Sequence, residues 1–299
     1  MDNFKIKNIV YEVSIKVPRI PKGTVEILKG LLQARGLNVL DLIEQELDGQ
    51  LKLAFYCQDQ KTAESYVSQL GLIQLKGLKV TSGVLYQDDW LTRWKKDWKP
   101  FRLTRQIDVV PVWCKDQYKF GKRDYILLDT ISSFGTGLHE TTRFMAQFID
   151  NLRGQFQSCL DVGTGTGILA LVALKGGAKE VHAIDFDDMC VSAAKVNFKA
   201  NGYDDANIKK KDLSKMNSKK TYDCVFANLV THDLIQMKLN ILSLVKPGGW
   251  LAVSGISLEN LSDLKKGFSP LPLRCVKMIK GKYWSALLYR RIKSLKAKE

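Results

Sequence analysis

The stretch Asp161-Val-Gly163-Thr-Gly165-Thr-Gly167-Ile-Leu-Ala170 decides the fold of this chain. Before it, Ser158 to Val162 reads as a short buried strand; after it, Ile168 to Lys175 reads as a helix stopped by Gly176-Gly177, and Val181 to Asp185 as a second strand. Strand, glycine turn, helix and strand form the repeating unit of an open parallel sheet with crossover helices. Glycines in the turn let the backbone approach a ligand closely, and the helix start offers unpaired N–H groups. Asp185, closing the second strand, is placed to accept hydrogen bonds from both hydroxyls of a ribose. These features describe a nucleoside-cofactor site.

Which nucleoside is a harder question, because Gly165-Thr-Gly167-Ile-Leu-Ala170 also satisfies the G-x-G-x-x-A form of the dinucleotide fingerprint. Two further features favour a methyl donor. Asp161, two residues before Gly163, suits the cationic α-amino group of S-adenosylmethionine and would repel a pyrophosphate, although an acid there could simply stabilise the turn. Downstream, Asp223-Cys-Val-Phe-Ala-Asn228-Leu-Val is followed by Lys246-Pro-Gly-Gly249 and a strand from Trp250 to Ser254. Asn228 ends the fourth strand, where open α/β sheets bind ligands; its alternative role is to cap a helix predicted from Val230 to Val245. Asp212, after the strand-like Asn207 to Lys211, could meet an adenine amino group or be a solvated acid.

Phe134-Gly-Thr136-Gly-Leu-His139-Glu-Thr141-Thr142 precedes a helix predicted from Arg143 to Leu152 and packs hydroxyls, an imidazole and glycines together. Thr141 or Thr142 could cap that helix, or the helix start could hold the cofactor's carboxylate. His139 could assist amine deprotonation or be structural.

Working outward, the first 87 residues alternate as strand (Ile9 to Val17), helix (Pro21 to Arg35), strands Leu37 to Leu47 and Leu51 to Tyr56 about Asp48-Gly49, helix (Thr62 to Leu70) and strand within Leu78 to Tyr86. That β-α-β-β-α-β order predicts a ferredoxin-like sandwich over residues 1–87. Residues 88–100, with Trp90, Trp94 and Trp98 ahead of Pro100, read as a linker helix, and 101–299 as the cofactor-binding domain.

The six cysteines are scattered singly, without C-x-x-C pairs or metal-ligand spacing, so reduced thiols and no metal are expected. No run of about 20 apolar residues predicts a membrane span. The opening Met-Asp-Asn-Phe-Lys-Ile-Lys lacks the apolar core of a secretion signal, and a cytoplasmic monomer is expected. A formal charge of +15 leaves nucleic-acid contact possible but not required.

The Phe134 to Thr142 loop, the Asp161 to Ala170 stretch and Trp94-Lys-Lys-Asp-Trp-Lys-Pro100 together resemble the ribosomal protein L-eleven methyltransferase family, over nearly the whole chain. That resemblance implies a Rossmann-like, seven-stranded class I methyltransferase domain behind a small ferredoxin-like substrate-recognition domain. It implies methylation of lysine or N-terminal amines of a large-subunit ribosomal protein, with S-adenosylmethionine as cofactor. Cofactor contacts are implied at Thr142, Gly163, Asp185 and Asn228; Asp161 and Gly165 join them from the turn itself. Three departures stand out. Asp129-Thr-Ile-Ser-Ser133 replaces the family's D-P-G-x-A, Thr164 occupies a position where Cys or Ser is common, and a +15 chain would repel a basic substrate at long range. The Thr164 change should be tolerable if the backbone carries the contact.

An RNA methyltransferase is the rival reading. Base methylation at exocyclic amines typically uses an Asn-Pro-Pro-aromatic motif that stacks the extruded base, and Leu229 and Val230 cannot stack that way. Another protein's lysines are a further alternative target. Attack of a neutral amine on a sulfonium methyl needs no strong general base, so no catalytic acid or base is assigned.

Overall fold

The computed structural model describes residues 9–18, 43–47, 50–57, 59–71, 78–86, 98–129, 137–204, 207–215 and 220–293. The chain divides into two compact units, Met1–Asp97 and Trp98–Glu299.

In the first unit, β1 (Ile9–Pro18), β2 (Ile43–Leu47), β3 (Gln50–Cys57) and β4 (Lys79–Tyr86) form an antiparallel sheet in the order β2-β3-β1-β4, with α1 (Gln60–Gly71) between β3 and β4. Asp59 starts α1 by accepting hydrogen bonds from the Thr62 N–H (2.9 Å) and hydroxyl (2.7 Å), the usual way to satisfy the open donors of a first turn. Val13, Ile15, Leu53 and Phe55 alternate onto one sheet face and meet Ala63 and Leu70 of α1. The helix expected at Pro21 to Arg35 and the Asp48-Gly49 turn lie outside the described residues.

The second unit opens with β5 (Phe101–Arg102), β6 (Ile107–Pro111) and β7 (Asp124–Leu128), a small sheet in that order in which β6 and β7 run parallel. Of the expected linker, only Trp98 to Pro100 is described; Trp98 is buried beside Trp113, 5.4 Å between ring centroids.

After α2 (Glu140–Asn151) comes the main sheet: β8 (Ser158–Val162), β9 (Glu180–Asp185), β10 (Asn207–Lys210), β11 (Tyr222–Asn228), β12 (Val245–Ser257), β13 (Leu273–Lys280) and β14 (Trp284–Arg291). Its order is β10-β9-β8-β11-β12-β14-β13, parallel from β10 through β12, with β14 antiparallel to both neighbours. The connecting helices are α3 (Ile168–Lys175), α4 (Asp188–Ala200), α5 (Thr231–Gln236), α6 (Lys238–Leu244) and α7 (Leu261–Phe268). All five residues of β8 are buried, as befits a central strand covered on both faces, and Ile168 to Ala173 of α3 are buried with them.

Strand order reverses beside β8. From there the chain winds one way through β9 and β10, then returns to lay β11 and β12 on the other side, leaving a crevice beyond the carboxyl ends of β8 and β11. One expectation is corrected here: the helix predicted from Val230 to Val245 is two helices, broken at Met237 (φ −95°, ψ 11°). Nothing in the local sequence forces the break, since neither Pro nor Gly is present, but it leaves Gln236 and Met237 on the wall of the crevice.

Candidate functional site

The crevice holds a cavity of about 350 Å³ lined by Val162, Gly163, Ile184, Asp185, Phe186, Lys211 to Ser214, Leu229, Asp233, Gln236 and Met237. Its shape comes from the glycine turn. Gly163, Gly165 and Gly167 have φ of 69°, 54° and 81°, left-handed values that side chains rarely adopt. A Cβ on Gly163 would lie 2.6 Å from Leu229 Cδ2, so at that position glycine also leaves the room that the opposite wall needs.

Backbone bonds pin the turn in place. The N–H groups of Gly163 and Thr164 both donate to the Ile184 carbonyl (2.9 and 3.1 Å), while Gly165 N–H donates to Asp185 Oδ2 (3.0 Å). Asp185 Oδ1 accepts from Asp187 N–H (3.1 Å). Each oxygen has one such partner and keeps acceptor capacity, and Asp185 lies on the cavity wall, so a ribose can still be held there.

Asp161 sits differently. Only 1% exposed, it lies behind the wall, where Oδ2 accepts from the Thr164 hydroxyl (2.7 Å) and Ala170 N–H (3.2 Å). Its Oδ1 is buried without a hydrogen-bond partner. Burial pushes the carboxyl up to about 7 against the pull of its two donors. An orphaned acceptor in this position fits a cationic ammonium, as the methionine end of S-adenosylmethionine would present. Thr164 is therefore more than backbone: its hydroxyl is a donor that the position needs, which a Ser shares.

Of the six residues expected to hold the cofactor, Gly163 and Asp185 line the cavity; Asp161, Gly165, Thr142 and Asn228 do not. Asn228 is half-buried at the carboxyl end of β11, one residue before the wall residue Leu229, whose N–H donates to Ser254. Thr142 is buried in the first turn of α2. Neither it nor Thr141 caps that helix. The cap is His139, whose Nδ1 accepts from Thr141 N–H and lies 2.8 Å from the Thr141 hydroxyl. Desolvation holds the imidazole below its usual pKa, and its ring packs edge-on to Trp284, so His139 is structural in this arrangement. Phe134 to Thr136 lie outside the described residues, but Gly137 reaches the turn's helix: a Cβ there would lie 2.7 Å from Ile168 Cδ1.

Asp212, open between an adenine contact and a solvated acid in the sequence, is on the wall; Ser214 donates to it through N–H (2.9 Å) and hydroxyl (2.6 Å) and holds it below the usual carboxylate range. Sequence reasoning missed Phe186, 76% exposed beside Asp185, whose signal was a large apolar residue just past a strand end. It also missed Asp233, because α5 was read as part of a longer helix. With Asp185, Asp212 and Asp233 against Lys211 alone, the lining favours a cation and disfavours the two phosphates of a dinucleotide. Among the described residues no group of His, Cys, Asp and Glu could hold a metal ion, and no helix is long and apolar enough to cross a membrane.

Known proteins point the same way. The chain is 33% identical over 223 residues to ribosomal protein L11 methyltransferase of Lactococcus lactis subsp. lactis, covering 73% of this chain and 68% of that one. It is 34% identical over 211 residues to the Geobacter metallireducens protein of the same description, covering 70% and 69%. A crystal structure of the ribosomal protein L11 methylase from Lactobacillus delbrueckii subsp. bulgaricus matches 65% of this chain and all of that chain, with 28% identity and a TM-score of 0.60. The family model for ribosomal protein L11 methyltransferases matches residues 21–292, and the chain belongs to that family of S-adenosylmethionine-dependent methyltransferases.

Proposed function

We propose that this enzyme methylates amino groups, on lysine side chains or the N-terminus, of ribosomal protein L11. The observation that carries the reading is the acid-lined cavity at the strand-order switch, bounded by Gly163 and Asp185, in a chain of this family. S-adenosylmethionine, when bound, supplies an activated methyl group on a sulfonium centre. Asp185 holds the ribose hydroxyls, Gly163 and Gly165 let the backbone close on the ligand, and Asp161 takes the ammonium on its unpartnered oxygen. Phe186 covers one face of the adenine while Asp212 accepts from its amino group. Thr142 and Asn228 complete the cradle from α2 and β11.

The accepting amine must be neutral, and a free lysine has a pKa of about 10.4, so burial beneath the bound segment has to favour the uncharged form. The described geometry calls for no protein base. Although the chain carries +15, the cavity's three carboxylates give the site a local potential that suits cationic ligands, which softens the long-range repulsion from a basic substrate. The amino-terminal unit, proposed as a ferredoxin-like domain, then supplies short-range recognition of the protein substrate. Such a substrate implies work in the cytoplasm, and the enzyme is proposed to act as a monomer. Incubation with methyl-labelled donor, fractionated ribosomal proteins and ribosomal RNA tests the reading. Label should appear on one large-subunit protein; label confined to RNA would refute it.

A further inference from the structure

Asn197 in the last turn of α4 and Asn201, the residue that caps its end, stand one turn apart, and both bond to the backbone of β7 and its continuation. Asn201 Nδ2 donates to the Leu127 carbonyl (2.7 Å) and its Oδ1 accepts from Leu127 N–H (2.9 Å). Asn197 repeats the pattern two strand residues on: Nδ2 donates to the Asp129 carbonyl (3.0 Å) and Oδ1 accepts from Asp129 N–H (2.7 Å). The spacings agree, since four helical residues advance about 6 Å and two extended residues about 6.7 Å. The two amides therefore satisfy the outer edge of β7 as a neighbouring strand would.

Each amide makes a third bond, and there the two differ. Asn201 Nδ2 donates to the Asn197 carbonyl (2.8 Å), one turn back, whereas Asn197 Nδ2 donates to the Thr166 carbonyl (2.8 Å), inside the glycine turn, and Asn197 is fully buried. Next to it, the same face of α4 seats the end of the turn: a Cβ on Gly167 would lie 2.9 Å from Phe198 Cε2 and 3.2 Å from Ala194 Cβ. Asp129, its other partner, is where the chain leaves β7 for the segment that leads to α2.

We infer that Asn197 is a positioning residue for the cofactor: one buried amide joins the glycine turn to the end of β7 and so fixes how the two segments stand to each other. This rests on the proposed placement of the cofactor at the glycine turn. Asn201 makes the matching pair of bonds to Leu127 and directs its third to its own helix, so it contributes to stability without touching the turn.

Asn201 is thus the internal control. Calorimetric titration with S-adenosylmethionine is compared for the full-length wild type, Asn197→Ala and Asn201→Ala, with thermal melting of each. Asn197→Ala should weaken binding about tenfold, or about 1.4 kcal/mol, and raise the KM for the cofactor while kcat at saturation stays within about threefold. Asn201→Ala should melt at a similarly lowered temperature yet bind within about twofold of wild type. If Asn197→Ala does not fold, Asn197→Ser, which keeps a small polar group in the buried space but cannot span to both segments, takes its place with the same expectation. Wild-type affinity in the Asn197 variant, or equal losses in both variants, would overturn the inference. Asp185→Ala separates the two readings: if it too binds normally, the cofactor's proposed placement fails, whereas a weakened Asp185→Ala beside a normal Asn197→Ala removes only the role of Asn197.

Discussion

Around residues 163–167 the chain is held through the turn's own backbone groups: its N–H groups donate to the Ile184 carbonyl and the Asp185 carboxylate, its Thr166 carbonyl accepts from Asn197, and Asp161 and Thr164 lie within a few positions of the glycines. At the start of α2, by contrast, side chains do the holding. His139 caps the helix, and Glu140 accepts from the backbone N–H groups of Lys282 (3.0 Å) and Tyr283 (3.3 Å), at the tip of the β13–β14 hairpin. The turn finds its partners no more than 31 residues away, within one strand–helix–strand–helix run; the second region depends on a partner 142 residues away. Changes in the turn should therefore reach the cofactor directly, and changes at α2 should act weakly and at a distance.

The largest effect is expected at Asp161. Because its carboxyl is raised from 3.8 to about 7, chiefly by desolvation, the unfolded chain releases this proton first as pH rises. The folded state thus loses stability between about pH 4 and 7, at up to about 1.4 kcal/mol per pH unit, and the slope ends once both states are ionised. Asp161→Asn keeps an acceptor for Thr164 and Ala170 without the charge. Its melting temperature relative to wild type should climb from pH 5 to pH 8, while its affinity for S-adenosylmethionine at pH 8 falls about 10- to 100-fold, or about 1.4 to 2.8 kcal/mol. Parallel pH profiles for the two proteins would show that Asp161 is not the group that titrates.

Gly163→Ala comes next. It forces a side chain into a left-handed conformation and against Leu229, so a loss of roughly 1 to 2 kcal/mol in stability is expected by denaturant titration, with weaker cofactor binding. An unchanged midpoint would mean that the turn is less constrained than its dihedrals say. Thr164→Val, which removes a buried donor from Asp161, should lower stability by about 1 kcal/mol, whereas Thr164→Ser should be near neutral. Equal losses for both would assign the effect to packing instead. Smallest of all, Glu140→Gln should change stability by about 0.5 kcal/mol, because the carboxylate is half-exposed and the amide retains one acceptor. A large drop in cofactor affinity there would erase the contrast between the regions.

That contrast also explains what could be read in advance. Ser158 to Asp185 was legible because each part is local: a buried strand, glycines where φ must be positive, and an acid at a strand end. The seven-stranded architecture came from the resemblance carried by these motifs. Asp161 was recognised as an acid beside the turn, but its dry setting behind the wall depends on packing that no motif records. Asn197 and Glu140 were invisible for the same reason, since their partners lie 68 and 142 residues away. The sequence leaves His139 open between assisting amine deprotonation and a structural role, and only its bond to Thr141 separates the two. The break at Met237, which opens the crevice to Gln236, has no Pro or Gly to announce it.

In the proposed complex the cofactor lies across the carboxyl ends of β8 and β9. A crystal structure of the enzyme with S-adenosylhomocysteine tests it most directly. Both ribose hydroxyls should lie within hydrogen-bond distance of Asp185, the amino group on Asp161 Oδ1, and the adenine between Phe186 and Asp212. A nucleoside bound elsewhere, with the Asp185 carboxylate still holding only the N–H groups of Gly165 and Asp187, would contradict it.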